Sequence, residues 1–214
     1  MKKIAFLLVA ILYLQSSFAQ DYKPVRLSFV INPQVSWLKS DNASVESGGS
    51  LFGYNFGVVV DRFFTPNYAL STGLTVNTTG GVLKYSPAVN AEIGGVVKEN
   101  ISKLNYRLKY IEIPIALKLR SNDFNRMAYY GQFGLSWQFS IKTSDGTSSN
   151  IDPEVRLFDL GYHFGGGIEY SIGGSNYLMI GGQFNNGFSD ITNNASITDK
   201  AILNRFVFQF GLVF

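Results

Sequence analysis

The segment that decides the fold is RFVFQFGLVF, residues 205–214. Its large apolar residues recur at every second position, and successive side chains of an extended chain point to opposite sides. One face therefore carries Phe206, Phe208, Phe210, Leu212 and Phe214. Arg205 and Gln209 fall on the other face. This alternation predicts an amphipathic β-strand.

The same period of two recurs seven times upstream. We predict further strands near residues 25–37, 52–61, 68–76, 106–119, 129–141, 158–170 and 177–186. The alternation slips near Tyr110-Ile111, which predicts a bulge in the fourth strand. Eight strands joined in sequence order are typical of an antiparallel meander.

The connections between these strands alternate in length. Those at 64–67, 120–127 and 171–176 are short, whereas those at 38–50, 78–105, 142–156 and 187–202 are long and largely polar. In a meander, alternate connections lie at opposite ends, so all the short turns share one end. We therefore predict an all-β fold, an eight-stranded antiparallel up-and-down transmembrane β-barrel.

The first 19 residues have the features of a secretory signal peptide. Lys2 and Lys3 precede the uncharged apolar run 4–14, and Ser17-Phe18-Ala19 is a small-x-small cleavage site. We expect residues 1–19 to be the signal peptide and residues 20–214 to form the barrel domain. A membrane-anchoring helix is the alternative, but the apolar run is well short of the ~20 residues that span a bilayer.

Alternation alone does not say which face meets lipid. The polar face is rich in Gly, Ser, Asn and Gln, which suits a crowded lumen better than a water-exposed surface. The apolar face carries aromatic residues near the strand ends, as an interfacial girdle does. These residues are Trp37, Phe52, Tyr68, Tyr129, Phe158, Tyr170 and Tyr177. The open alternative is a soluble secreted barrel that binds a ligand in an apolar interior.

Composition excludes several kinds of site. The chain of 214 residues has no Cys and one His, which rules out disulfides, thiolate metal sites and an all-histidine zinc site. Of the 18 basic residues, Lys2 and Lys3 lie in the first segment, and the remaining 16 nearly balance the 15 acidic residues. Because the basic residues are scattered along the sequence, we expect no nucleic-acid partner. We also expect no metal and no cofactor.

Placing the polar face inside the barrel predicts a set of lumenal charges. An eight-stranded barrel is just filled by side chains, so these groups must pair with one another or with trapped water, and an open porin channel is disfavoured. The predicted lumenal polar network comprises Arg26, Asp61, Glu112, Lys118, Asp159, His163, Glu169 and Arg205. A narrow ion path or a small-ligand pocket is the functional alternative.

An enzyme hypothesis has one histidine-based set available. It combines Ser136 or Ser140 as nucleophile with His163 as base and Asp159 or Glu169 as orienting acid. All of these lie on the polar face, whereas hydrolysis of a membrane lipid would need them on the lipid side. We therefore expect no catalytic residues.

Two segments resemble known proteins. The stretch Tyr110–Lys118, YIEIPIALK, resembles the Tyr-x-Glu-x-Pro-x-x-x-Lys segment of the PorT-like outer-membrane β-barrels of Bacteroidetes-type bacteria. The last ten residues resemble the C-terminal sorting strand that the barrel-assembly machinery reads. The resemblance implies a bacterial outer-membrane location and contact with membrane lipid, and some relatives are linked to secretion or gliding machinery.

The primary functional hypothesis is a non-catalytic outer-membrane barrel that acts through its long extracellular loops, with an envelope protein as partner. The loop 78–105 mixes apolar residues with glycines, so it could extend the third and fourth strands as a projecting hairpin. A lipid-modifying outer-membrane enzyme and a soluble ligand-binding barrel are the alternatives.

Overall fold

The computed structural model describes residues 24–42, 44–93, 96–145, 155–192 and 201–214, with the backbone alone for 91–93 and 96–98. The predicted signal peptide, residues 1–19, lies outside the described residues. Within the described part there is no helix with the length and apolar character needed to cross a membrane.

Eight strands form one closed antiparallel ring in sequence order, with β1 paired to β8. The strands are β1 Val25–Ser40, β2 Val45–Thr65, β3 Tyr68–Ile93, β4 Val96–Arg120, β5 Met127–Asp145, β6 Phe158–Gly173, β7 Asn176–Gly187 and β8 Ala201–Val213. The predicted eight-stranded up-and-down barrel is confirmed. Closure gives every strand two hydrogen-bonded neighbours, which is what a lipid environment demands of a sheet.

The short turns are confirmed at one end, which we call the short-turn end. Pro66-Asn67 joins β2 to β3, and Gly174-Ser175 joins β6 to β7. Gly174 has φ +60, a backbone conformation that glycine adopts without steric cost.

The opposite end differs from the prediction, and we call it the hairpin end. The predicted loops 38–50 and 78–105 are largely strand, so that β3 and β4 run for 26 and 25 residues whereas β7 has only 12. These two strands form a hairpin that rises beyond the rest of the barrel, as the sequence of the 78–105 segment suggested.

The strand β4 shows why the extensions were taken for loops. We call the short-turn end of the barrel the lower end and the hairpin end the upper end. In the lower part of β4, the outward residues from Ile111 to Leu119 are apolar, and the residues between them face the interior. Above Ile111 the polarity reverses, because Tyr106, Leu108 and Tyr110 are buried inside while Arg107 and Lys109 are exposed. The inward and outward alternation itself is unbroken from Leu104 to Arg120.

The predicted bulge near Tyr110 therefore needs correcting. The register shift lies at that level, but the extra residue is on β5: Lys109 pairs with Lys142 and Tyr110 pairs with Ser140, which leaves Ile141 without a partner in the β4 ladder. The apparent phase slip in β4 is a reversal of the apolar face: the outward residues are apolar from Ile111 to Leu119 but cationic at Arg107 and Lys109.

Candidate functional site

The barrel interior holds all eight residues of the predicted lumenal network. Arg26 keeps a small exposed fraction near the short-turn end, and the other seven side chains are buried. Six of the eight come from strands β2, β4 and β6, whose inward positions are set by the alternation. The structure divides these charges between two separate groups and leaves two residues outside both.

The first group, the lower ion-pair cluster, comprises Arg26, Asp61, Lys118, Arg120 and Glu169. The Lys118 ammonium lies 2.6 Å from an Asp61 oxygen and 2.7 Å from a Glu169 oxygen. Arg120 donates from Nε to the other Glu169 oxygen at 2.7 Å, and Arg26 reaches the same oxygen at 3.4 Å. Three cations therefore surround two buried carboxylates, which compensates their removal from water.

Aromatic rings pack against the arginines of this cluster. The Arg26 and Arg120 guanidinium groups each lie 5.0 Å from the centre of the Tyr177 ring, and Arg26 also lies 5.1 Å from the Phe63 ring. The Tyr177 hydroxyl donates to Asp123 at 2.7 Å. Tyr177 thus faces the interior, and its predicted place in the lipid-side aromatic girdle is wrong.

The second group, the upper ion pair, joins Glu112 of β4 to Arg205 of β8. Two Arg205 nitrogens donate to the two Glu112 oxygens at 2.9 and 3.2 Å, a bidentate geometry. Asn77 also donates to Glu112 at 2.8 Å, and Gln34 donates to Asn77 at 2.6 Å. The pair is therefore fixed to four strands by hydrogen bonds.

His163 and Asp159 join neither group. The Nδ1 atom of His163 lies 2.9 Å from the Ser136 hydroxyl oxygen, in a hydrogen bond whose donor depends on the tautomer. The side chains of Ser136 and His163 are 1% and 2% exposed. Asp159 is buried beside Gln138, its partner in the β5–β6 ladder.

These positions bear on the catalytic candidates. Ser140 lies four residues beyond Ser136 on β5, and Glu169 lies six residues from His163 on β6, which is roughly 20 Å of strand. Of the candidate set, the structure brings together Ser136 and His163 only. Their hydrogen bond lies in the barrel interior and not on the lipid side of the wall.

A small cavity of about 60 Å³ separates the two ion-pair groups. Asp61 and Lys118 line it from below, and Glu112, His163 and Arg205 line it from above. Apolar side chains such as Val30 and Met179 also line it, and the polar groups together with this volume suit a few water molecules.

Apolar side chains fill the lumen at the hairpin end. We call this set the upper apolar cluster, and most of its members come from the strand extensions. Its buried residues are Leu38, Val45, Leu83, Tyr85, Ile101, Leu104, Tyr106, Leu108, Tyr110, Val155, Ile191, Ala201 and Leu203. The interior therefore changes along the barrel axis from ion pairs to a hydrophobic core.

The outer surface of the lower barrel is apolar. Phe29, Phe133, Phe164 and Phe208 are among the many large apolar side chains exposed there. The aromatic residues predicted for the girdle, apart from Tyr177, all lie on this outer side. The soluble alternative required these faces to point inward, and the observed orientation contradicts it.

Several interior residues were missed in the sequence analysis. Arg120 was assigned to a turn, but it continues the inward series Glu112, Ala116 and Lys118 at the same spacing. The same parity test on β7 places Tyr177 with inward Met179. Within the described residues, no group of three or more His, Asp or Glu side chains is arranged to hold a metal ion.

Comparisons with known proteins agree with this architecture. A family described as "Outer membrane protein beta-barrel domain" has a sequence model that matches residues 15–193. No curated protein matches the sequence.

Three solved structures illustrate the similar folds. Ail of Yersinia pestis, in complex with the heparin analogue sucrose octasulfate, is 14% identical with a TM-score of 0.46, over 90% of this chain and 100% of that chain. OprG of Pseudomonas aeruginosa is 11% identical with a TM-score of 0.49, over 89% and 94%. The outer membrane protease OmpT of Escherichia coli is 9% identical with a TM-score of 0.46, over 93% and 99%. Because the family match spans well over half of the sequence, this chain belongs to the outer membrane protein beta-barrel domain family and is a protein of the bacterial outer membrane.

Proposed function

We propose that this protein is a non-catalytic outer-membrane barrel that recognises a second envelope protein through the β3–β4 hairpin. The observation that carries the proposal is that neither edge of the hairpin's outer part is paired with a further strand among the described residues. Within the described residues, β3 pairs with β2 only as far as Tyr85, and β4 pairs with β5 only from Tyr106 onward. Strand edges with free backbone groups pair readily with an added strand.

The hairpin would stand outside the cell. In bacterial outer-membrane barrels the short turns face the periplasm and the longer connections face outward. The turns at Pro66-Asn67 and Gly174-Ser175 define the periplasmic end on this reasoning, and the β3–β4 hairpin lies at the opposite end.

The filled interior supports a role for the outer surface rather than for the lumen. The upper apolar cluster, the upper ion pair and the lower ion-pair cluster block the barrel axis at three levels. Barrels that conduct water-soluble solutes have about twice as many strands. The enclosed Ser136–His163 pair likewise supports a role without catalysis.

The biogenesis of the barrel is part of the same proposal. We expect residues 1–19 to direct export and the aromatic face of β8 to be read by the barrel-assembly machinery. The segment Tyr110–Lys118 makes a PorT-like member of the family our preferred assignment, with secretion or adhesion machinery as the partner.

The test removes the hairpin tip and leaves the core intact. Leu83, Tyr85 and Ile101 belong to the upper apolar cluster, so a deletion of Gly81–Ser102 would remove part of the core. Val89 and Ile101 are paired across the hairpin, so Asn-Gly can replace residues 90–100 as a two-residue turn. A photo-crosslinking amino acid at exposed Ser102 would then report the partner in intact cells.

We expect a protein adduct with the full hairpin and none with the shortened hairpin, while both proteins keep heat-modifiable migration in SDS gels. The same cross-linker at exposed Arg62, near the short-turn end, is the control. Equal adducts from the full and shortened proteins would contradict recognition through the hairpin.

A further inference from the structure

A groove of about 330 Å³ runs over the outer surface of the barrel at the hairpin end. Its walls combine apolar and cationic side chains: Leu51 and Phe52 come from β2, Arg107 and Lys109 from β4, and Lys142 from β5. Phe52 is 85% exposed, the largest exposed fraction among the apolar side chains of the described surface. Nothing in the proposed partner recognition uses this groove.

The groove exists because β3 contributes small side chains between two larger walls. Thr78 and Gly80 of β3 pair with Lys109 and Arg107 of β4. On the other side, the pairing of β2 with β3 is interrupted between Gly49 and Tyr54, so Leu51 and Phe52 are paired with β1 but not with β3. A low floor therefore lies between an aromatic wall and a cationic wall.

The three cations of the groove are exposed and make no ion pair within the described part of the chain. Lys109 and Lys142 are direct cross-strand partners. Like charges opposite each other on a sheet destabilise it, because their Cβ atoms are only about 5 Å apart. The described lining of the groove includes no carboxylate.

The β5 register shift is what turns Lys142 outward. Ile141 is the extra residue opposite the Lys109–Tyr110 step, and both Ile141 and Lys142 are exposed. With regular alternation, Lys142 would face the interior. Bulges commonly re-aim a side chain in this way, so the local irregularity builds the cationic wall.

The height of the groove on the barrel identifies its surroundings. Lys109 lies two residues above Ile111, and Lys142 follows Ile141, at the upper limit of the apolar outer belt. In a membrane this level is occupied by lipid head groups. On the outward-facing side of a bacterial outer membrane, those head groups are the phosphorylated saccharides of lipopolysaccharide.

We propose that the groove binds the phosphorylated saccharide head of a lipopolysaccharide molecule. Phosphate oxygens accept hydrogen bonds from Arg107, Lys109 and Lys142 and remove the repulsion between the two lysines. Phe52 and Leu51 contact the apolar part of the same amphiphile. The groove combines cations, an apolar wall and a position at the level of the head groups. These features suit an anionic lipid better than a protein strand.

The test measures binding of purified lipopolysaccharide to the folded protein in detergent. The variant R107Q/K109Q/K142Q removes the three groove cations. The variant K39Q/K84Q/K103Q is the matched control, because it removes three exposed cations from the same end but outside the groove. Chemically dephosphorylated lipopolysaccharide and inorganic phosphate are the two comparison ligands.

We expect the groove variant to bind lipopolysaccharide at least about tenfold more weakly than the wild type, and the control variant to bind within about twofold. The dephosphorylated lipid should bind the wild type as weakly as the intact lipid binds the groove variant. Both variants should keep heat-modifiable migration. If the triple variant does not fold, K109Q/K142Q, which removes the like-charge pair, should show the same loss in smaller measure.

Three results would overturn the proposal. Unchanged binding by the groove variant would show that lipopolysaccharide does not bind in the groove. An equal loss in the control variant would show a general effect of charge. Binding of inorganic phosphate as tight as that of the lipid would make the groove a site for free anions.

Discussion

Glu112 and Arg205 are 93 residues apart in the sequence and meet inside the barrel through two hydrogen bonds. Replacing Glu112 by Met leaves the Arg205 guanidinium buried without its carboxylate, and it removes the acceptor of Asn77. Loss of one partner of a buried pair costs about 3–5 kcal/mol of the free energy of unfolding. We expect a loss of that size for Glu112→Met, measured by urea unfolding in lipid vesicles.

The double variant Glu112→Met/Arg205→Met is the control for this interpretation. It removes both charges and leaves apolar side chains of similar length, so it should be more stable than Glu112→Met alone. If the double variant lost as much stability as the two single variants together, the pair would contribute nothing beyond its separate side chains.

His163 allows a test of the proposed absence of catalysis. If His163 has only a structural role, His163→Ala changes stability but not membrane chemistry, because the side chain is buried beside Ser136. We expect the lipid profile of cells that carry His163→Ala to equal that of wild-type cells. Altered acylation in these cells and in cells with Ser136→Ala, reversed by the wild-type gene, would reinstate the enzyme hypothesis.

Which side chains face the interior could be predicted from the sequence, because residues an even number of positions apart on a strand face the same side. Glu112 and Lys118 lie an even number of positions apart, so one inward residue fixes the other. Partners were not predictable, since the division into a lower cluster and an upper pair depends on the stagger between strands. Arg107 and Lys109 share one face of β4, but only the β4–β5 register brings Lys142 beside them.

At the scale of strands, the hairpin end and the membrane belt differ in which face is apolar: the interior is apolar at the hairpin end and polar within the membrane belt. Within β4 the buried side chains include Tyr106 and Leu108 above the membrane limit, and Glu112 and Lys118 below it. A pattern search with one fixed polarity ends the strand where the surroundings change. The alternation therefore found eight strands but ended β3 too early and began β4 too late.

This division predicts different responses to mutation in the two parts. Leu83 is fully buried in the upper apolar cluster, so Leu83→Ala should cost about 2–5 kcal/mol there. We expect faster trypsin cleavage at the hairpin end of the protein in vesicles, while the folded band persists in unheated SDS gels. Ser102→Ala, at an exposed position of β4, is the control and should not change the cleavage rate.

A loss of the folded band in Leu83→Ala would show instead that the hairpin end and the membrane belt unfold as one unit. The lower ion-pair cluster and the wall of paired strands would then be insufficient to hold the membrane part alone.

For the whole molecule, the two tryptophans report the position of the barrel in the bilayer. Trp137 is 42% exposed on the outer face, where its strand neighbours Ile113 and Leu160 are also apolar. Trp37 lies two residues before exposed Lys39, at the same parity, and therefore near the upper limit of the apolar belt. Aromatic residues at such limits sit among the head groups.

Single-tryptophan variants separate the two signals. In Trp37→Phe, bromine atoms placed deep in the acyl chains should quench the remaining Trp137 more strongly than bromine near the head groups. In Trp137→Phe, bromine near the head groups should quench the remaining Trp37 more strongly than bromine deep in the acyl chains. Equal quenching of both residues by a water-soluble quencher, with no dependence on bromine depth, would mean that the apolar belt does not meet lipid. The predicted order follows from the outward apolar face and the reversed polarity above Ile111 taken together, so it tests the whole architecture rather than one contact.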